Sequence, residues 1–303
     1  MMNQLIRLIT LFSLLAIVEA ASVVVTIKPI HSLVSFLLQG VPNVDLTLLC
    51  QGVASPHGEQ LKPSQIHHLI KADLVIWVGA SYETGMAEPI RKIDRPILAL
   101  DQIPSLHLKP RRFQDEGCSC SHHSASSIDG HFWLSPDRMI ECLGVIKEHL
   151  FRLFPGAENQ PLIQQNTVLL QQKLMALSQS LQTLLAPVRS KPYGVYHDFL
   201  QYFDETFGTS CQFWVTAHPD APLTSSGFRS FETLSNRPVC LFTEPQFPDH
   251  ILKKIADKLA IPLYPIDYLG QSVPPGPEAY GQMIQSIAEQ IKTGLETGKS
   301  FLK

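Results

Sequence analysis

Three histidines stand where apolar runs give way to short polar turns. His57 lies in Ala54-Ser55-Pro56-His57-Gly58-Glu59, His131 in Asp129-Gly130-His131-Phe132-Trp133, and His197 in Val195-Tyr196-His197-Asp198-Phe199. A fourth side chain that could bind a cation, Asp267, follows Pro265-Ile266. Neutral imidazole offers a borderline-soft nitrogen well suited to Zn(II) at neutral pH, and carboxylate completes many zinc sites. Singly, each histidine has an ordinary alternative: His57 a loop residue, His131 a helix cap or a neighbour of Trp133, His197 a hydrogen-bonded core residue. Together, spread over the whole chain, they suggest a metal held between two halves. Glu59 is a reserve oxygen ligand, Glu244 is a candidate for orienting a histidine, and Asp198 is a candidate for that or for capping the helix that follows.

The elements that must position these residues alternate in type. Val23 to Ile27, Val44 to Leu49, Leu74 to Val78 and Ile97 to Leu100 read as strands. Ser32 to Leu38, Pro63 to Lys71 and Glu83 to Lys92 read as helices between them, the last weakened by Pro89. Such a βαβα rhythm predicts a parallel sheet flanked by helices. Asp101 to Gly130 reads as a long exposed loop. Ser135, Pro136 and Asp137 open a helix running to about Leu153, and Ala157 to Leu185 reads as one long helix. The rhythm then restarts. Tyr193–Tyr196, Cys211–Val215, Val239–Thr243 and Ile261–Ile266 read as strands, with helices over Asp198–Phe207, Asp249–Leu259 and Pro277–Thr293. The expected fold class is α/β: two similar units, 21–155 and 188–303, joined by one long rigid helix over 156–187. Ligands of open α/β sheets bind beyond the carboxyl ends of strands, and His57, His197 and Asp267 all fall there.

The chain has 303 residues, a net charge of -3 and 45% hydrophobic residues, enough for two ordinary domains and too little positive charge to suggest nucleic-acid binding. Its basic cluster, Lys109-Pro110-Arg111-Arg112, reads as a solvated loop. Arg7, the apolar stretch Leu8 to Val18 and the small residues before Ala20 read as a cleavable export signal over 1–20, which places the mature chain in a periplasm. Of six cysteines, Cys211 and Cys240 are a candidate disulfide in an oxidising compartment. Cys118-Ser119-Cys120-Ser121-His122-His123 forms a soft-ligand cluster on a polar loop, with His122 and His123 as accessory metal candidates.

Five segments in order carry a resemblance: Ser55-Pro56-His57, Lys71 to Gly79, His131 to Pro136, Tyr196-His197-Asp198 and Phe242 to Gln246. Together they resemble the cluster A-I solute-binding proteins of metal-transporting ABC systems, specifically the zinc-binding branch. The resemblance runs from about Val23 to the last helix. It implies two α/β domains on a rigid helix, a metal between them, delivery to a membrane permease, and no catalysis. It implies His57, His131 and His197 as ligands. Asp267 takes the place of a carboxylate that is the fourth ligand in many members and is linked through other groups in others. Zn(II) is then the cargo rather than Mn(II), because a nitrogen at 197 suits Zn better than the Glu of manganese-type relatives. The expected protein is a monomer. The short His122-His123 loop departs from the longer His/Asp-rich loop of zinc members. The competing reading, a zinc hydrolase using three histidines and an activated water, lacks a His-Glu-x-x-His helix and a Gly-x-Ser-x-Gly elbow.

Overall fold

The Val23-Val24-Val25 run is wholly buried, as expected of a strand covered on both faces. Its side chains divide by the strand's period of two: Val23 and Val25 enter one apolar cluster and Val24 enters another. The neighbouring strand divides in the same way, Leu74 and Ile76 against Val75 and Trp77. The structure, a computed structural model, describes residues 19–51, 55–112, 128–216 and 237–297.

Chain order in the first half is β1 (Ala21–Val25), α1 (Lys28–Leu37), β2 (Val44–Leu48), α2 (Pro63–Lys71), β3 (Leu74–Trp77), α3 (Thr84–Arg91), β4 (Ile97–Ala99) and α4 (Pro136–Leu153). A long helix, α5 (Asn159–Leu185), follows. The second half runs β5 (Pro192–His197), α6 (Gln201–Phe207), β6 (Ser210–Thr216), β7 (Leu241–Thr243), α7 (His250–Leu259), β8 (Leu263–Pro265) and α8 (Ala279–Thr297). All strand pairings are parallel. The sheets have orders β2-β1-β3-β4 and β6-β5-β7-β8. The second therefore repeats the topology of the first, and the expected α/β architecture holds.

Between the sheets lies one continuous apolar cluster, to which Val23, Val25, Leu74 and Ile76 contribute from the first sheet and Tyr193, Val195 and Phe242 from the second. Helix α5 has 27 residues, about 40 Å at 1.5 Å per residue. Its buried positions Ile163, Asn166, Thr167, Leu170, Leu174, Ser178, Leu181 and Leu185 follow the three-four spacing of one helix face. It packs on α1, α4, α6 and α8 and so touches both halves. Asn166 Nδ2 donates to the carbonyls of Leu37 (3.1 Å) and Gln39 (2.9 Å), which satisfies the end of α1. The last helix, α8, returns to pack on α1 of the first half.

Several expectations are corrected. Asp101 to Gly130 is not loop throughout: Leu100–Gln102 and Pro104–Leu106 form 3₁₀ turns, and Ile103 and Leu106 are buried because they join the central cluster. Helix α6 begins at Gln201 rather than Asp198, since the chain first turns with Phe199 N–H donating to His197 O (3.0 Å). Arg112 is not solvated: it pairs with Asp198 and with Asp204 (3.2 Å) and lies 5.1 Å from the Trp214 ring centroid. Cys211 and Cys240 are both free. Cys211 lies in β6, and Cys240 precedes β7 on the far side of β5. An intervening strand puts them about 9–10 Å apart, beyond disulfide reach. Cys118, Cys120, His122 and His123 lie outside the described residues.

Candidate metal centre

In a parallel sheet every carboxyl end lies on one edge, so the turns after β2, β3, β5, β7 and β8 gather at the same side of their sheets. His57 follows β2, Tyr82 and Glu83 follow β3, His197 ends β5, Glu244 follows β7, and Asp267 and Tyr268 follow β8. His131 arrives from the long connection before α4, held just ahead of the 3₁₀ turn Phe132–Leu134. That turn buries Trp133 completely, and Ser135 Oγ caps α4 by accepting from Arg138 N–H (3.4 Å).

The three histidines are fully buried and converge. His131 Nε2 lies 3.0 Å from His57 Nε2 and 3.2 Å from His197 Nε2. Three nitrogens on a tetrahedral Zn(II), at about 2.0–2.1 Å each, stand about 3.3 Å apart. The observed spacing is therefore close to that of a coordination shell.

Buried histidines can also be this close through ordinary hydrogen bonds, and the outer contacts set which ring nitrogen faces inward. Asp129 Oδ1 accepts from His131 Nδ1 (2.7 Å) and from His131 N–H (3.0 Å). Glu244 pairs with His197 Nδ1 through one oxygen and accepts His197 N–H through the other (3.2 Å). A carboxylate accepts only, so the His131 ring carries its proton on Nδ1, while the second Glu244 oxygen stands against His197 Nδ1 at ion-pair range without hydrogen-bond geometry. The Nε2 lone pair of His131 then faces the Nε2 atoms of His57 at 3.0 Å and His197 at 3.2 Å. Three imidazoles with their Nε2 atoms turned to one point, one of them fixed as an acceptor, form a group that could hold a metal ion.

His57 is fixed through its main chain. Its carbonyl accepts from Gly85 N–H (3.2 Å) and from Thr84 Oγ1, both in the first turn of α3. Glu83, wholly buried, anchors that turn by accepting Gly79 N–H (3.1 Å). Burial raises its carboxyl from the ordinary 4.5 to about 7, with hydrogen bonds from Thr26, Gly79 and Val78 opposing the shift. Burial also raises Asp129. Tyr82 packs edge-on to His57 (4.3 Å between centroids), and Tyr268 lies 6.0 Å from His131 and 5.7 Å from His197. One aromatic wall therefore comes from each half.

A family model described as ZnuA, zinc-uptake complex component A, periplasmic, matches residues 23–294. The chain belongs to the ZnuA family. A curated relative, the high-affinity zinc uptake system protein ZnuA of Yersinia pestis, is 28% identical over 296 residues, 91% of this chain and 92% of its own length. A crystal structure of ZnuA superposes with a TM-score of 0.74 at 20% identity, covering 91% of this chain and 99% of that one. The periplasmic zinc-binding protein TroA of Treponema pallidum gives the same TM-score at 18% identity, covering 91% and 99%. At these identities the two structures speak for the fold alone. No helix among the described residues is long and apolar enough to cross a membrane.

Within this ZnuA-family chain, the described residues bring together three of the four principal candidates. Asp267 is not in the cluster. It is half-buried, its Oδ2 accepts Ser272 N–H (2.8 Å) and Ser272 Oγ–H (2.9 Å), and its Oδ1 is buried with no hydrogen-bond partner among the described residues. Glu59 is half-buried and also outside the cluster. Glu244 accepts the main-chain N–H of His197 and lies against its Nδ1. Asp198 does not: its carboxylate is taken by Arg112. Sequence reasoning missed Asp129, two residues before His131 and on its near side, where an Asp-x-His pairing was available as a signal. It missed Glu83 and Lys28 as well. Lys28 Nζ donates to the carbonyls of Gly270 (2.6 Å), Gln271 (3.3 Å) and Val273 (2.8 Å), more than 240 residues away. Burial lowers its pKa and nearby Asp267 offsets part of that.

Proposed function

We propose that this chain captures Zn(II) between its two halves and hands it to the permease of an ABC transporter. His57, His131 and His197 supply Nε2 ligands, and Asp267 Oδ1 swings in as the fourth. Four protein ligands close a tetrahedral site and leave no water to activate, which favours a carrier over the three-histidine hydrolase. The observation that carries this reading is the convergence of three buried Nε2 atoms on one point, with Asp129 behind His131 and Glu244 behind His197. All-imidazole primary ligands favour Zn(II) over Mn(II), while Ni, Cu and Co compete for such a set in vitro. Asp129 and Glu244 keep the imidazoles neutral on the metal side and compensate the ion's charge. Glu59, His122 and His123 are accessory ligands that raise the local metal concentration near the cleft. The mature chain works in the periplasm as a monomer after loss of residues 1–20. Its units are 21–155 and 188–303, with 156–187 as the connector.

The test is metal analysis of protein purified without added metal, followed by calorimetric titration of His57→Ala, His131→Ala and His197→Ala. About one zinc per chain is expected, with affinity falling by orders of magnitude in each variant while the fold persists. Wild-type affinity in all three variants would end the proposal, and turnover of an ester or peptide by the zinc-loaded protein would favour the hydrolase.

A further inference from the structure

Lys28 sits at the first residue of α1, where the helix macrodipole is positive and a cation is disfavoured. No partner within α1 compensates it. Its ammonium instead crosses to the other half and donates to three main-chain carbonyls, those of Gly270, Gln271 and Val273. A lysine has three protons to give, so these contacts use all of them. The same seven-residue turn begins at Asp267, and Ser272, between two of the lysine's acceptors, donates twice to Asp267 Oδ2. Gly270 within it adopts a left-handed φ of 66°, as so tight a turn requires. The turn is gathered around one ammonium on its carbonyl side and one carboxylate oxygen on its amide side. Asp267 Oδ1 is left buried and without a hydrogen-bond partner among the described residues. A local rule is broken at Lys28, and the compensation appears at the proposed fourth ligand.

We propose that Lys28 is a positioning residue for the metal site: it reaches across from the first half to fix the 267–273 turn, which holds Asp267 with Oδ1 open toward the cation. This rests on the reading of Asp267 as fourth ligand. With its protons given to carbonyls, the ammonium does not form a salt bridge that would take Oδ1 from the metal. Ser32 reinforces the same crossing, accepting Tyr280 N–H (2.9 Å) and donating to Pro277 O (3.1 Å).

The experiment is a double-mutant cycle on the full chain, with Zn(II) affinity and dissociation rate read by competition against a chromophoric chelator. The set is wild type, Lys28→Met, Asp267→Asn and the double variant. Losing a group that orients a metal ligand weakens affinity about 10- to 100-fold, so Lys28→Met should lose that factor, chiefly through faster dissociation. In the Asp267→Asn background the same change should have no further effect. Equal losses in both backgrounds, or wild-type affinity in Lys28→Met while Asp267→Asn is weakened, would overturn the role of Lys28. Wild-type affinity in Asp267→Asn would instead overturn the ligand reading, and the positioning role with it. If Lys28→Met does not fold, Lys28→Gln, which keeps two donors without the charge, takes its place and is expected to give an intermediate loss that also vanishes with Asp267→Asn.

Discussion

Glu244→Gln is the sharpest perturbation of the centre, because it changes one heavy atom and puts a donor where an acceptor faces His197 Nδ1. One Glu244 oxygen receives the main-chain N–H of His197 at 3.2 Å, and the other pairs with His197 Nδ1. The main-chain group can only donate, so the amide oxygen of glutamine must stay there. Its NH₂ then faces Nδ1. Either two donors meet in a buried site, or His197 moves its proton to Nε2 and withdraws the lone pair from the metal. A buried donor left unsatisfied costs about 1–3 kcal/mol, which at 1.4 kcal/mol per decade is about 5- to 150-fold in affinity. We expect a loss near the upper end, about 100-fold. Glu244→Ala leaves Nδ1 free to keep its proton and should lose less, on the order of tenfold. Asp129→Asn supplies the contrast. One oxygen, Oδ1, takes both His131 contacts, while Oδ2 accepts from Gln201 Nε2 at 3.1 Å. The asparagine oxygen can keep both bonds to His131 while the Gln201 amide turns over, so the loss should be a few-fold at most. Zn(II) competition titrations at constant pH measure all three. Glutamine tolerated better than alanine at 244 would refute the argument from proton placement, and so would a severe loss in Asp129→Asn.

Two further outcomes follow from burial. Glu83 titrates near 7 in the folded chain against about 4.5 unfolded, so its contribution to stability is fully present below about pH 4.5 and is lost as pH rises through about 7. Between pH 5 and pH 8 wild type should lose on the order of 3 kcal/mol that Glu83→Gln does not lose, and denaturant unfolding at the two pH values checks this; equal pH dependence in both proteins would contradict it. Cys211 and Cys240, both buried with thiols raised by burial, should remain unmodified by a thiol reagent until the chain unfolds, and mass spectrometry of native and denatured protein would expose a Cys211–Cys240 bridge as a missing pair of labels.

Reading the sequence found what local pattern encodes. Continuous β-branched runs such as Val23 to Ile27 announce buried parallel strands, and the repetition of the rhythm after the long helix announces the second unit. The three histidines were legible because each stands at an element boundary. What escaped depends on partners distant in sequence. Arg112 read as solvated because nothing near it reveals Asp198 and Asp204, 86 and 92 residues on. Lys28 carries no local signal of its role, because its acceptors lie beyond residue 269. The Cys211–Cys240 expectation assumed adjacent strands, whereas the order β6-β5-β7 interposes one. The resemblance to the metal-binding family supplied the expected ligand set as a whole; the residues alone supplied only candidates.

A fully buried triad requires the protein to move before a metal can enter or leave, and the contacts between the halves limit how. Opening them as a wide hinge would break the three bonds from Lys28, the Ser32 bond to Pro277, Trp133 Nε1–H to Tyr268 O at 3.3 Å, and Tyr280 Oη–H to Trp133 O at 2.8 Å. At about 1 kcal/mol each, these six bonds alone exceed the low end of a whole domain's stability, about 5 kcal/mol. The apolar cluster shared by both sheets, crossed by α5 and α8, would be exposed besides. Movement is therefore expected in the turns that carry ligands, such as the His57 turn after β2 and the Asp267 turn after β8, with the two sheets keeping their separation. Small-angle scattering with and without Zn(II) should give the same radius of gyration, near the roughly 19 Å of a compact chain of this length. A contraction of about 1 Å or more on binding would refute the rigid-frame argument, because displacement of a few turns cannot redistribute that much mass.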